Sequence, residues 1–290
     1  MARRLEIGLH DGGSIGLQAD APEEAIAFDG LAELLHLKTE VPGNSAADAV
    51  LNLPDAMPEG RHTLRSTALT EIAYAPDWSR ILIAGWKKQP RRRAYYCLCL
   101  WQTALVCAGM HAALRGEKAV LAHCAVLETG RGAVLLFGES GMGKSTAAAR
   151  WRAYGGKCVS DDMALLDFSG GDGQIRVRRM PTWSACREGK NKGYYPSSEE
   201  LPTAGLLVLG RSGNGRDGIV NLSTAQFFAQ CYRSLFYWIL SPAKDLPEEK
   251  QRLLADRIRK QTELITDRFA PRALLAALDG NLPKLIEDAL

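Results

Sequence analysis

Gly138, Gly143, Lys144 and Ser145 stand in the order G-x-x-x-x-G-K-S within the run GESGMGKST, residues 138–146. Those residue types at that spacing do one kind of chemistry. Glycines let a backbone wrap a phosphate without Cβ clashes, and successive N–H groups then point inward at the anion. The Lys144 ammonium can reach the β- and γ-phosphates of a nucleotide, and the Ser145 hydroxyl can ligate Mg²⁺. Glu139, Ser140, Gly141, Met142 and Thr146 complete the loop. Asp161 and Asp162 follow Lys144 by 17 and 18 positions. One of these carboxylates could hold the metal while the other accepts a proton from a hydroxyl. His123 precedes Lys144 by 21 positions.

The loop alone does not separate motor, switch and kinase. A GTPase needs N-K-x-D to read its base, but Asn191-Lys192-Gly193 is followed by Tyr194. An ABC-type ATPase needs L-S-G-G-Q, which is absent. A RecA-like motor shows four apolar residues before its acidic one. Here only Cys158 and Val159, then Ser160, precede Asp161.

The elements around these residues must position them. AVLLFG ends a strand at Phe137, and KSTAAARWRAYG reads as a helix from Lys144, so the loop joins strand to helix. AVLAHCAVLE, the turn TGRG and AVLLFG read as a hairpin that brings His123 to the loop entrance. GKCVSDDMALLDF reads as one strand running through both aspartates, which would send their side chains to opposite faces. SGGDGQ is a turn, and IRVRR a returning strand with Arg176 and Arg178 on one face and Arg179 on the other. Residues 184–200 read as a long loop whose Arg187, Lys190, Lys192, Tyr194 and Tyr195 could clamp a peptide. AGLLVLGRSGNGRDGIVNLS reads as two strands with a Gly-rich turn. STAQFFAQCYRSLFYWIL reads as a helix with Ser223 or Thr224 as N-cap, and Pro271 as the start of a short late helix. Towards the N-terminus, residues 4–18 read as a hairpin around Asp11-Gly12-Gly13 and RILIAGW as a strand, while 41–80 lack a regular pattern.

The chain has 290 residues, 46% hydrophobic and 24% charged, enough for a sizeable core. A net charge of +3 gives no electrostatic case for nucleic acid or membrane binding. Seven cysteines, an odd count with no secretory signal, point to free thiols in a reducing cytoplasm. The apolar run 94–114 carries Gln102, Thr103 and His111, so a buried helix is expected rather than a membrane span.

The order His123, then GESGMGKS, then Asp161-Asp162 resembles HPr kinase/phosphorylase and its relatives, a group akin to phosphoenolpyruvate carboxykinase. The resemblance is firmest over residues 119–168. The E-[IV]-R-G signature of authentic HPr kinases is missing, and IRVRRMPTW occupies its place. The N-terminal region, with its long helix before the core, is more similar to cassette members of the group: lasso-peptide serine kinases and SynChlorMet cassette proteins. The resemblance implies an α/β fold, an HPr-kinase-like P-loop core of mixed sheets with flanking helices, preceded by a smaller α+β region. The expected domains are 1–92, a linking helix over 93–118, and a kinase domain over 119–290. The implied activity is transfer of the γ-phosphoryl group of ATP, with Mg²⁺, to a serine or similar hydroxyl of a small protein or ribosomal peptide. Lys144 and Ser145 would hold phosphates and metal, Asp161 would contact the metal, Asp162 would be the base, and His123 would sit beside the reacting phosphate. Two alternatives stay open: a small-molecule kinase using the same groups, and a non-catalytic nucleotide-binding partner. A homo-oligomer is compatible with either.

Overall fold

The computed structural model describes residues 3–19, 29–32, 39–40, 49–52, 62–66, 71–74, 80–84, 93–171, 173–182, 200–212, 218–276 and 281–290. The chain divides into two compact units. The first holds residues 1–119, 186–189 and 239–254; the second holds 120–185, 190–238 and 255–290. The expected clamp loop, residues 184–200, lies outside the described residues except for Glu200.

The first unit is built on a seven-stranded mixed sheet. Its strands are β1 (Arg3–Gly8), β2 (Ser14–Ala19), β3 (Thr39–Glu40), β4 (Ala49–Asn52), β5 (His62–Ser66), β6 (Glu71–Tyr74) and β7 (Arg80–Ala84). They lie in the order β3-β1-β2-β4-β7-β6-β5, with β2–β4 and β4–β7 parallel. The β1–β2 hairpin turns as expected, with Gly12 at φ 89° and Gly13 N–H donating to Asp11 Oδ1 at 3.1 Å. Residues 41–80, expected to lack regular pattern, contain β4, β5 and β6. These strands are four or five residues long, and β4 pairs only with distant partners, so no local periodicity announces them. Helix α1 (Arg93–Arg115) packs on β2 and β4. Its stretch from Ala104 to Met110 is buried throughout, which explains an apolar run with no amphipathic stripe. No helix among the described residues is long and apolar enough to cross a membrane.

The second unit opens with β8 (Ala119–Thr129) and β9 (Gly132–Phe137), then α2 (Lys144–Ala153), β10 (Lys157–Ser160), β11 (Met163–Asp167) and β12 (Arg176–Arg179). After these come β13 (Leu201–Arg211), β14 (Gly218–Asn221) and α3 (Thr224–Phe236). The short α4 (Leu240–Ala243) belongs to the first unit, and α5 (Glu248–Arg268) begins there and ends in the second. The chain closes with β15 (Arg272–Ala276) and α6 (Leu282–Ala289). This sheet is also mixed: β9–β13 and β13–β15 are parallel, and β8–β9 and β11–β12 antiparallel. The pairings β8–β11–β12–β13–β9–β8 form a closed circuit, which β9 completes between β13 and β8. Residues 133–137 of β9 are fully buried, as a strand covered on both faces must be, and their uninterrupted apolar run follows from that. Leu127, Val134, Leu136, Leu207 and Leu209 pack with Ala148 and Trp151 of α2 and Ile286 of α6. That packing fixes α2 against the sheet, with its N-terminus at the end of β9.

Three local expectations change. The strand expected to run through the aspartates is interrupted at Asp161-Asp162, between β10 and β11. The residues after Pro271 form β15 rather than a helix, because RALLA finds a parallel partner in β13 and an antiparallel one in β14. The strands β13 and β14, read as neighbours across a turn, are separated by β15. The described free cysteines, Cys107, Cys124, Cys158 and Cys231, are all buried, and burial pushes each thiol well above its usual range.

Candidate functional site at the end of β9

Strand β9 stops at Phe137, and the chain turns away through Gly138–Gly143. Met142 N–H donates to Glu139 O at 3.2 Å, closing the loop on itself. Gly143, the N-cap of α2, has φ 96°, where a side chain would be strained. No side chain caps this helix, and its first turn carries no acidic residue. Its positive end is therefore offered to an outside anion. Ser145 and Thr146 lie exposed on the first turn, and Glu139, Ser140 and Gly141 are exposed on the loop.

Lys144 is only 5% exposed, and its Nζ donates to Gly138 O at 2.8 Å and Glu139 O at 3.0 Å. Burial holds its pKa below the ordinary 10.5, opposed by the negative charge of Asp162. The ammonium is thus folded onto the loop carbonyls. It has incomplete compensation for lost hydration, a state that phosphate oxygens would relieve.

The hairpin register pairs Cys124 with Phe137, so His123 falls at the step where β9 gives way to the loop. His123 Nδ1 lies 3.2 Å from Asp162 O and 3.3 Å from Asp162 Oδ1. With its proton on Nδ1, the ring donates to Asp162 and leaves Nε2 as an acceptor. Cys124 N–H also donates to Asp162 O, at 3.1 Å. The β8–β10 register shifts between Cys158 and Ser160, a bulge of the kind that re-aims side chains beside functional sites. Ser160 Oγ donates to Met163 O at 2.5 Å and accepts weakly from Asp162 N–H at 3.4 Å, bracing the bend. The two aspartates differ in access. Asp161 is 3% exposed, whereas the Asp162 side chain is 32% exposed.

Past the end of α3, Tyr237 stacks on His123 with ring centres 4.0 Å apart, and Trp238 meets the same ring edge-on at 5.8 Å. Arg233 of α3 forms an ion pair with Glu139 of the loop at 2.9 Å. Both partners are exposed, so the pair is worth well under about 1 kcal/mol and acts as a loose tether.

The profile of the SynChlorMet cassette protein ScmC family matches residues 92–281. The chain belongs to this family. No curated protein shows a significant match. The ScmC match takes in α1 and, within one span, His123, the glycine loop, the Asp pair and Tyr237-Trp238.

Of the residues singled out in this ScmC-family chain, the structure joins His123 to Asp162 by contact and Lys144 to Gly138 and Glu139. Asp162 also acts on Lys144 through its charge; Asp161 acts in the same way on Cys158. Arg178 is tied to Glu200 at 2.5 Å, and Arg179 is buried. The sequence reading missed Tyr237, Trp238 and Arg233. It ran the helix through FYWIL, whereas α3 ends at Phe236 with Tyr237 as C-cap. The one available cue was the adjacent pair of large aromatics at a helix end. A separate cleft of about 560 Å³ lies at the turn end of β8–β9, lined by Thr129, Gly130, Trp151, Lys157 and Leu290 among others, and includes no residue of the loop.

Proposed function

We propose that this chain is an ATP-dependent kinase with an HPr-kinase-like P-loop core, moving a phosphoryl group to a serine or similar hydroxyl of a small protein or ribosomal peptide. One observation carries the reading. Asp162 and His123 meet at 3.3 Å beside a buried Lys144, at the mouth of a glycine loop whose helix end bears no capping or acidic side chain. A nucleotide-binding module with no reaction to perform has no use for that convergence. The donors suit a magnesium nucleotide: Mg²⁺ keeps several waters and needs few protein oxygens, which the exposed Ser145 hydroxyl and one carboxylate of the Asp pair supply.

Bound Mg-ATP would supply the phosphoryl group and screen its charge. Lys144 exchanges its carbonyl partners Gly138 and Glu139 for phosphate oxygens. The α2 N–H groups hold the anion in place. Asp162 takes the acceptor's hydroxyl proton as the acceptor oxygen bonds to phosphorus and the bridging P–O bond to ADP breaks. His123, donating through Nδ1, orients the Asp162 carboxylate. The more buried Asp161 is the expected metal contact. A peptide acceptor and a cytoplasmic compartment belong to the same proposal.

The test is to incubate the purified chain with γ-labelled ATP, Mg²⁺ and the small polypeptides encoded beside its gene. Label should move to a polypeptide as phosphoserine. Label on a metabolite would instead favour the small-molecule kinase, and tight nucleotide binding without turnover would favour the non-catalytic partner.

A further inference from the structure

His123 is 6% exposed, and its Nε2 is enclosed with no hydrogen-bond partner among the described residues. The indole Nε1 of Trp238, whose ring meets His123 edge-on, is enclosed and unpartnered among the described residues in the same way. An unfilled polar atom in a protein interior costs about 1–3 kcal/mol, and each such atom calls for an explanation. Here two lie on touching rings, and their hydrogen-bonding characters are opposite. In the neutral ring with its proton on Nδ1, donating to Asp162, Nε2 can only accept, while Trp238 Nε1–H can only donate. The group that satisfies an acceptor and a donor together is a hydroxyl, which gives one hydrogen bond and takes another.

Tyr237 covers this pair. Its ring lies nearly parallel to His123, 16° apart at 4.0 Å, yet the residue is 45% exposed. It sits at the C-cap, just past the last helical residue of α3, so its side chain can leave without unwinding the helix. The same end of α3 carries Arg233, held to the loop only by the exposed pair with Glu139.

We infer that His123 Nε2 and Trp238 Nε1 form the subsite for the acceptor's hydroxyl group, and that Tyr237 is a gate that the acceptor displaces. This rests on the kinase reading for its place in a reaction, but the subsite itself can be tested without any turnover. A hydroxyl held there donates to Nε2, and as that nitrogen takes its proton the ring passes the Nδ1 proton to Asp162, so the carboxylate is reached through His123. The gate gives specificity. An alanine in place of the acceptor serine leaves both buried groups unfilled, which is the condition for strong discrimination.

The test uses diethylpyrocarbonate, which modifies accessible imidazole nitrogens, read at His123 by peptide mass mapping. His123 should be protected in the wild type and in Tyr237→Phe, and should react at least tenfold faster in Tyr237→Ala. In Tyr237→Ala, N-acetylserinamide should restore protection and N-acetylalaninamide should not. Trp238→Phe should lower that difference. Unchanged labelling in Tyr237→Ala would overturn the gate, and equal protection by the two amides would overturn the hydroxyl subsite. Neither readout needs ATP, so a failure of the kinase reading appears separately, as absence of label transfer in the wild type. If transfer does occur, Tyr237→Ala should alter KM for the acceptor more than KM for ATP, a split that a merely structural role would not produce.

Discussion

Lys144 sits in a conflict that makes it measurable before any ligand is added. Its ammonium is buried with two carbonyl partners, and its pKa is held below 10.5, chiefly by burial. Because the folded value is the lower one, the folded protein binds fewer protons than the unfolded chain between that value and 10.5. Stability relative to a variant without the lysine must therefore rise with pH across that window and level off at its lowest below it. Urea unfolding of the wild type and Lys144→Met at pH 8 and pH 10.5 should show the difference moving in favour of the wild type at the higher pH. A constant difference would mean that the ammonium is not penalised by burial. Asp162→Asn makes the second test, because it keeps the shape and removes the proposed proton acceptor. Transfer should fall by about a hundredfold or more, the range of a lost general base, while nucleotide affinity changes little. Equal activity in Asp162→Asn would remove that residue as the base. At this scale the sequence was most legible where chemistry is local. Gly138 to Ser145 form one continuous motif, and a short hairpin was enough to place His123. Tyr237 lies 114 positions from His123, and no spacing rule marks a ring contact across that distance.

Strands and helices were legible to the extent that their pattern is their own. The β8–β9 hairpin and α2 follow from apolar runs, a Gly-containing turn and a glycine loop, all contiguous. Of the two N-caps expected for α3, Ser223 and Thr224, the structure uses Ser223: its Oγ accepts from Gln226 N–H at 3.2 Å, and Gln226 Oε1 accepts from Ser223 N–H at 3.1 Å. What the chain did not announce was partnership at long range. Residues 272–276 could serve as helix or strand, and only the neighbouring β13 and β14 decide for a strand. The break at Asp161-Asp162 was hidden for a similar reason, since it follows from a register shift against β8. Two substitutions test whether elements hold the site. Ser223→Ala should cost about 1 kcal/mol of stability, the usual worth of an N-cap, and loosen the helix that carries Arg233 and ends at Tyr237. Gly143→Ala meets no neighbour within 4 Å, so its cost is backbone strain alone, about 1–2 kcal/mol at φ 96°. Denaturant midpoints measure both. A Gly143→Ala protein as stable as the wild type would show that the loop relaxes out of its left-handed geometry.

All the proposed chemistry falls within one of the two units. His123, the glycine loop, the Asp pair, Arg233, Tyr237 and Trp238 belong to the second, while the mixed sheet of β1 to β7 belongs to the first. The family match begins at Arg92, beyond that first sheet, and takes in α1 together with every residue of the proposed site. A ligand that binds only the native state stabilises it by RT ln(1 + [L]/Kd), about 2.7 kcal/mol at a hundredfold excess over Kd. For a unit of this size each kcal/mol moves a melting point by about 2–4 °C. A non-hydrolysable ATP analogue with Mg²⁺ should therefore raise a thermal transition by several degrees. Hydrogen exchange should locate the gain. Amides of residues 138–147 and those around Cys124 and Asp162 should slow most, because the proposed reading puts the phosphates on the loop N–H groups and the β8 contact backs them. Residues 3–19, in the first unit's sheet, should change least. Lys144→Met should abolish both the thermal shift and the slowing. Slowing spread evenly over residues 3–19 and 138–147 would mean that the two units respond to nucleotide as one body. A transition unmoved by the analogue at millimolar concentration would remove the nucleotide from the proposed function altogether.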